Sequence, residues 1–185
     1  MLDLGARALS FETIVASGPN SAIPHHRPAD RELVAGDFVK LDFGAEYGGY
    51  HSDMTRTMVL GEPAGWQREI YEVVAAAQLA GIAAAIPGAD VEDVDATARD
   101  IIEAAGHGGH FQQALGHGVG LQVHEAPIIG YGRTGTLPKR AAVTIEPGIH
   151  LPGKGGAGIE DTLVVRAGPG PAQILTTATK ELLVL

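Results

Sequence analysis

Four carboxylates stand in strand-like, apolar surroundings. Asp42 lies in Val39-Lys-Leu-Asp-Phe-Gly44, Asp53 in Tyr50-His-Ser-Asp-Met-Thr-Arg-Thr57, Glu146 in Val143-Thr-Ile-Glu-Pro-Gly148, and Glu160 in Gly158-Ile-Glu-Asp-Thr-Leu-Val-Val165. A carboxylate inside such a run is unfavourable unless it is paired, hydrogen-bonded or bound to metal. His117 stands between glycines in Gly116-His-Gly-Val-Gly120, and His124-Glu125 follows before Ala126-Pro127. For any one acid alone, an exposed strand position or a salt bridge is the commoner explanation. Four acids together with His117 make coincidence a poor one. Four carboxylates and an imidazole form an oxygen-rich set suited to Mn²⁺, Fe²⁺, Co²⁺ or Zn²⁺, with Mn²⁺ favoured. Their charge nearly neutralises two divalent ions, so a two-metal site that activates water is electrostatically sensible.

Hairpins are the elements expected to position these groups. Gly48-Gly49 marks a turn, and a two-residue hairpin turn at Tyr47-Gly48 would place Asp42 and Asp53 opposite each other on one sheet face, a pairing that an odd-length loop would break. Two carboxylates that near repel unless a cation lies between them. Hydrophobic alternation and turn residues predict strands over 11–16, 37–44, 50–60, 142–150, 158–166 and 173–177. Apolar residues at helical spacing predict helices over 67–86 and 90–105, the second capped by Asp90 and closed by Gly106. The Gly- and His-rich stretch 107–120 reads as irregular, with the glycines around His117 letting backbone crowd a bound group. The class is α+β, in one domain.

Composition removes other functions. The net charge of −9 and the lack of a basic run argue against nucleic acid and against an anionic membrane surface. No cysteine is present, which excludes disulfides, thiol nucleophiles and thiolate metal sites and fits a cytoplasmic location. Gly130-Tyr-Gly-Arg-Thr-Gly135 matches a dinucleotide fingerprint but opens no helix. Gly148 to Lys154 resembles a phosphate loop but lacks the Ser or Thr that must follow.

The same phrases, together with Ile14-Val-Ala-Ser-Gly-Pro-Asn-Ser-Ala-Ile-Pro-His25, resemble the pita-bread metallopeptidases, most closely the Xaa-Pro dipeptidase (prolidase) and aminopeptidase P branch. The resemblance runs over almost the whole chain. It implies a pita-bread fold, two divalent ions, and hydrolysis of the bond between an N-terminal residue and proline. Asp42 would bind one metal, Asp53 and Glu160 would bridge both, and His117 and Glu146 would complete the second. Glu146 would relay a proton to the leaving amine, His124 would stabilise the oxyanion, and His25 would contact substrate, with His26 a bystander.

Two departures qualify the resemblance. Gly158 stands where the family's proline peptidases usually carry arginine. The sequence also begins just before the first catalytic strand, so 1–185 is expected to be a catalytic domain lacking the N-terminal domain and the first helices. An uncovered apolar face on the strands 11–16 and 39–43 is then expected, with dimerisation, weak metal binding or poor turnover as consequences. A methionine aminopeptidase-like enzyme and a non-catalytic pita-bread binding module are the alternatives.

Overall fold

Two long antiparallel hairpins carry the acidic motifs, and each is interrupted where its ligand candidates sit. The computed structural model describes residues 1–168 and 170–185. In chain order the elements are β1 (Ala8–Leu9), β2 (Ile14–Ser17), β3 (Phe38–Phe43), β4 (Ala45–Tyr47), β5 (Tyr50–His51) and β6 (Met54–Val59). Helices α1 (Gly65–Ala84) and α2 (Val91–Ala104) follow. The remainder comprises β7 (Gly116–Gly118), β8 (Glu125–Ile129), β9 (Ala142–Ile145), β10 (Gly148–Leu151), β11 (Gly155–Gly158), β12 (Asp161–Val164) and β13 (Gln173–Ile174).

The first hairpin turns at Gly48-Gly49, both at positive φ (59° and 86°), as a two-residue hairpin turn requires. Its register pairs Tyr47 with Tyr50, Phe43 with Met54 and Asp42 with Thr55. The expected turn at Tyr47-Gly48 is therefore one residue early, and Asp53 is not opposite Asp42 but two residues before its partner. A slip of two in pairing preserves parity, so both acids still face the same way. The expected strand 50–60 is split at Ser52 and Asp53, opposite Gly44. A Cβ on Gly44 would come within 1.8 Å of the Ser52 carbonyl oxygen, so only glycine permits the two chains to close there.

The second hairpin pairs Ile145 with Asp161 and Gly148 with Gly158 in one continuous register. Each of the two strands expected over 142–150 and 158–166 is broken, at Glu146-Pro147 and at Ile159-Glu160. Pro147 has no N–H to give the ladder, and the hairpin bends around it. Glu146 and Glu160 fall opposite each other at that bend.

A five-stranded sheet in the order β13-β12-β9-β7-β8 holds the second half, and β2-β3-β6 the first. Stretch 107–120 is not wholly irregular: β7, carrying His117, lies inside the larger sheet between β8 and β9. Helices α1 and α2 pack on one another and bury Ile70, Val74, Ala77, Val94, Ala98 and Ile102 against Leu115, Val143, Ile145 and Leu163. Each such Val, Leu or Ile contributes about 1.5–3 kcal/mol on burial. The Asp90 side chain accepts a hydrogen bond from Glu92 N at 2.9 Å, and Gly106 adopts φ 83° beyond the helix end. Asp95 on α2 accepts from both Arg99 and Leu115 N, which ties the loop before β7 to the helix.

The sheet face expected to be bare is half-covered. Val15 is 40% exposed, and Leu41 and Phe43 are partly buried. Arg56, on the same face, is buried under the C-terminal segment, donating to Thr179 O and Ala178 O. The segment runs on to pair with β6, where Val59 N donates to Leu183 O. Among the described residues no helix is long and apolar enough to cross a membrane.

Candidate metal centre

The two bends meet. Ligand atoms of Asp42, Asp53 and Glu160 lie within 4.8 Å of one another, as do those of His117, Glu146 and Glu160, and those of Asp53, His117 and His124. All five residues expected as metal ligands are thus brought into overlapping groups, and His124 adjoins them. Asp42 comes from the end of β3, Asp53 from the break before β6, His117 from β7, and Glu146 and Glu160 from the bend of the second hairpin.

Neighbouring hydroxyls and amides orient these groups. Thr55 Oγ1 donates to Glu160 Oε2 and Thr144 Oγ1 to Glu146 Oε1, each at 2.9 Å. The same Thr144 oxygen accepts from His117 N at 3.1 Å. His117 Nδ1 lies 2.9 Å from Gly118 O; donating there, it leaves Nε2 facing Glu146 Oε1 at 3.1 Å and Asp53 Oδ2 at 3.7 Å. The glycines beside His117 serve strand packing rather than close approach to a ligand. A Cβ on Gly116 would meet Thr144 O at 2.0 Å, and one on Gly118 would meet Ala126 O at 2.4 Å.

Electrostatics shows what the cluster needs. Burial, then the charges of Asp42 and Glu146, push Asp53 up to about 8. Burial and Glu146 raise Asp42 to about 6, and burial and the neighbouring carboxylates raise Glu160 well above the usual range. Burial is the largest influence on His117 and works against its charge, but the bond to and charge of Glu146, the bond to Gly118 O and the charge of Asp53 together outweigh it and the pKa rises. Asp42 Oδ1, Asp53 Oδ1 and Glu160 Oε1 are buried with no hydrogen-bond partner among the described residues. Orphaned, mutually repelling carboxylate oxygens flanked by an imidazole nitrogen fit divalent cations.

The groups expected to handle substrate lie around a cleft of about 370 Å³. His25 and His124 line it with Phe11 and Ile14 as an apolar wall. The His124 ring meets His117 edge-on at 4.4 Å between centroids. Burial and the neighbouring His117 lower the pKa of His124, so it stands neutral and able to donate one hydrogen bond. His26, read as a bystander, lines the same cleft and is less exposed than His25.

Sequence reasoning missed a buried anchor behind the ligands. Asp161, fully buried, accepts from Arg56 Nη2 at 2.6 Å, Gln78 Nε2 at 2.9 Å and Lys180 Nζ at 2.8 Å. The proximity of Arg56 to Asp53 and of Asp161 to Glu160 in sequence was the available signal. Lys40 and His150, also passed over, line a smaller cavity that shares Asp42, Glu146 and Glu160 with the cleft.

An α+β domain whose two hairpins bend around a carboxylate and imidazole cluster is the pita-bread architecture of metal-dependent peptidases. The chain belongs to metallopeptidase family M24, whose model matches residues 1–167. It is 45% identical over 179 residues to an Xaa-Pro dipeptidase of Pyrococcus furiosus, a match covering 97% of this chain and 51% of that protein. The structure is similar to that of an Xaa-Pro dipeptidase from Bacillus anthracis, with a TM-score of 0.96 and 43% identity over all of this chain and 51% of the other. It is also similar to an X-Pro aminopeptidase from Thermotoga maritima, with a TM-score of 0.95 and 38% identity over all of this chain and 51% of that one. The chain spans about half the length of the curated relatives it matches.

Proposed function

We propose that this domain hydrolyses the peptide bond between an N-terminal residue and proline, using two divalent ions, Mn²⁺ in preference to Co²⁺, Zn²⁺ or Fe²⁺. Asp42 would hold one ion, Asp53 and Glu160 would bridge the pair, and His117 and Glu146 would hold the other. The observation that carries the reading is the overlap of the ligand groups within 4.8 Å around three orphaned carboxylate oxygens. The similarity to Xaa-Pro dipeptidases supports the choice of substrate.

When bound, the ions supply Lewis acidity to the scissile carbonyl and lower the pKa of the attacking water. The chain's own groups do the rest. A carboxylate oxygen of Glu146 takes the proton released by the water and hands it to the leaving prolyl nitrogen. His124, neutral and edge-on to His117, donates to the oxygen on which negative charge develops. His25 orients the substrate at the cleft mouth, and Phe11 and Ile14 keep that side of the cleft dry.

Metal content and Mn²⁺-dependent hydrolysis of Ala-Pro, compared with a Met-Ala peptide, test the reading. Turnover of Met-Ala in preference to Ala-Pro would favour a methionine aminopeptidase-like activity. Neither metal nor turnover would favour a binding module. A homodimer through the half-covered face around Val15 belongs to the same reading, and sedimentation of the intact chain tests it. The absence of cysteine agrees with a cytoplasmic location.

A further inference from the structure

Beside the candidate ligand cluster lies a second cavity, of about 90 Å³, that shares His25, Asp42, Glu146 and Glu160 with the substrate cleft and has Lys40, Gln113, His150 and Gly158 among its other lining residues. We propose that Lys40 makes this cavity a subsite for a carboxylate of the substrate, so that peptides presenting one there are preferred; this rests on the peptidase reading above.

Lys40 is on the inward face of β3, two residues before Asp42, and only 4% exposed. A buried ammonium ordinarily sits against a carboxylate. Among the described residues Lys40 Nζ has no such partner and makes only long contacts, to Ile23 O at 3.2 Å and Pro24 O at 3.4 Å. With three donors on the ammonium, at least one remains for a ligand. The acids that share the cavity wall are those whose charge bound ions would take up, whereas Lys40 is no candidate ligand.

Two further features leave the space open to an anion. Gly158 contributes no side chain, although a Cβ there would meet nothing nearer than Thr55 Cγ2 at 3.4 Å. Gln113 and His150 also line the cavity. A carboxylate and the carbon that carries it can enter such a space. Two parts of a dipeptide offer this chemistry: the side chain of an N-terminal Asp or Glu, and the C-terminal carboxylate of the proline.

The test compares wild type with Lys40→Met, similar in length but uncharged, on Ala-Pro, Ala-Pro-amide, Glu-Pro-amide and Gln-Pro-amide. A charge-assisted hydrogen bond predicts a loss of about 10- to 100-fold in kcat/KM, carried by KM, on the carboxylate-bearing peptide alone. Loss on Glu-Pro-amide but not Gln-Pro-amide assigns the subsite to the N-terminal side chain. Loss on Ala-Pro but not Ala-Pro-amide assigns it to the C-terminus. Equal loss on all four, or none on any, overturns the proposal. Calorimetric binding of reduced-bond analogues of the same peptides to the metal-loaded wild type reads the subsite without turnover or mutation. Each carboxylate peptide binding no tighter than its amide counterpart there also overturns the proposal. Failure to cleave any Xaa-Pro peptide would instead strike at the peptidase reading, leaving the binding comparison to decide the subsite.

Discussion

Arg56 holds the backbone of Glu160 rather than its carboxylate: Nη1 donates to Glu160 O at 2.6 Å while Nη2 engages Asp161 Oδ1 at 2.6 Å. The strand that follows Asp53 thereby sets where the strand that follows Glu160 begins. Removing the guanidinium leaves Asp161 paired with Lys180 and Gln78 but one charged donor short, at a cost of about 1.5–3 kcal/mol. Arg56→Met is therefore expected to shift urea unfolding by that amount. It should also weaken Mn²⁺ binding about 10- to 100-fold, since Glu160 loses its backbone support. Unchanged metal affinity in a folded Arg56→Met protein would show that the anchor serves stability alone.

Stability of the metal-free protein should fall with rising pH. Asp53 and Asp42 are raised to about 8 and about 6, and Glu160 is raised as well. An acid whose folded pKa lies above its unfolded value of about 4 binds its proton more tightly when folded. The stability this contributes is present below the unfolded value and is lost as pH climbs to the folded one. With chelator present, thermal unfolding should occur at a lower temperature at about pH 8 than at about pH 5, and Asp53→Asn should flatten the difference. Excess Mn²⁺ should restore stability at the higher pH by binding only the folded form. A wild-type profile no steeper than that of Asp53→Asn would contradict the crowding of these carboxylates.

His124 stands beside the ligand set, and its proposed task is to donate to the developing oxyanion. His124→Ala should lower turnover about 10²- to 10³-fold and leave metal stoichiometry unchanged, as measured by elemental analysis of the purified variant. Loss of an ion in that variant would move His124 into the ligand set with Asp53 and His117.

Gly116→Ala tests the packing around His117. The added methyl would fall 2.0 Å from Thr144 O, so β7 must shift away from β9. That shift separates His117 N from Thr144 Oγ1 and loosens Thr144 from Glu146. Strain of this kind costs about 1–3 kcal/mol, and chemical denaturation should show it together with weakened metal binding. Normal stability would mean that the strands can part without cost.

The chemistry-bearing residues were legible because each breaks a local rule. Asp42, Asp53, Glu146 and Glu160 are acids in apolar runs, and such exceptions usually mark function. The helices were legible from period and caps: Asp90 and Gly106 stand at the ends of α2 as expected. The first strand break was not, because alternation continues straight through Ser52-Asp53; the second was marked by Pro147, which cannot donate to a ladder, but the expected strand 142–150 ran through it. Stretch 107–120 looked irregular because β7 is short and built of glycine and histidine, and only its neighbours β8 and β9 make it a strand.

From the sequence alone came the candidate ligand types, their order, the two helices and the parity that puts Asp42 and Asp53 on one face. Those follow from local spacing, which the chain carries within each segment. Only the tertiary structure decided that Asp42 pairs with Thr55 rather than with Asp53, that the two hairpins bend toward each other, that Arg56 and Asp161 form a buried anchor beside them, and that Lys40 faces a cavity rather than an ion pair. Each of these depends on residues far apart in the chain meeting in a packed interior, as Thr55 does with Glu160. Local spacing does not specify such meetings, because it says nothing of which distant segment occupies the space in front of a side chain.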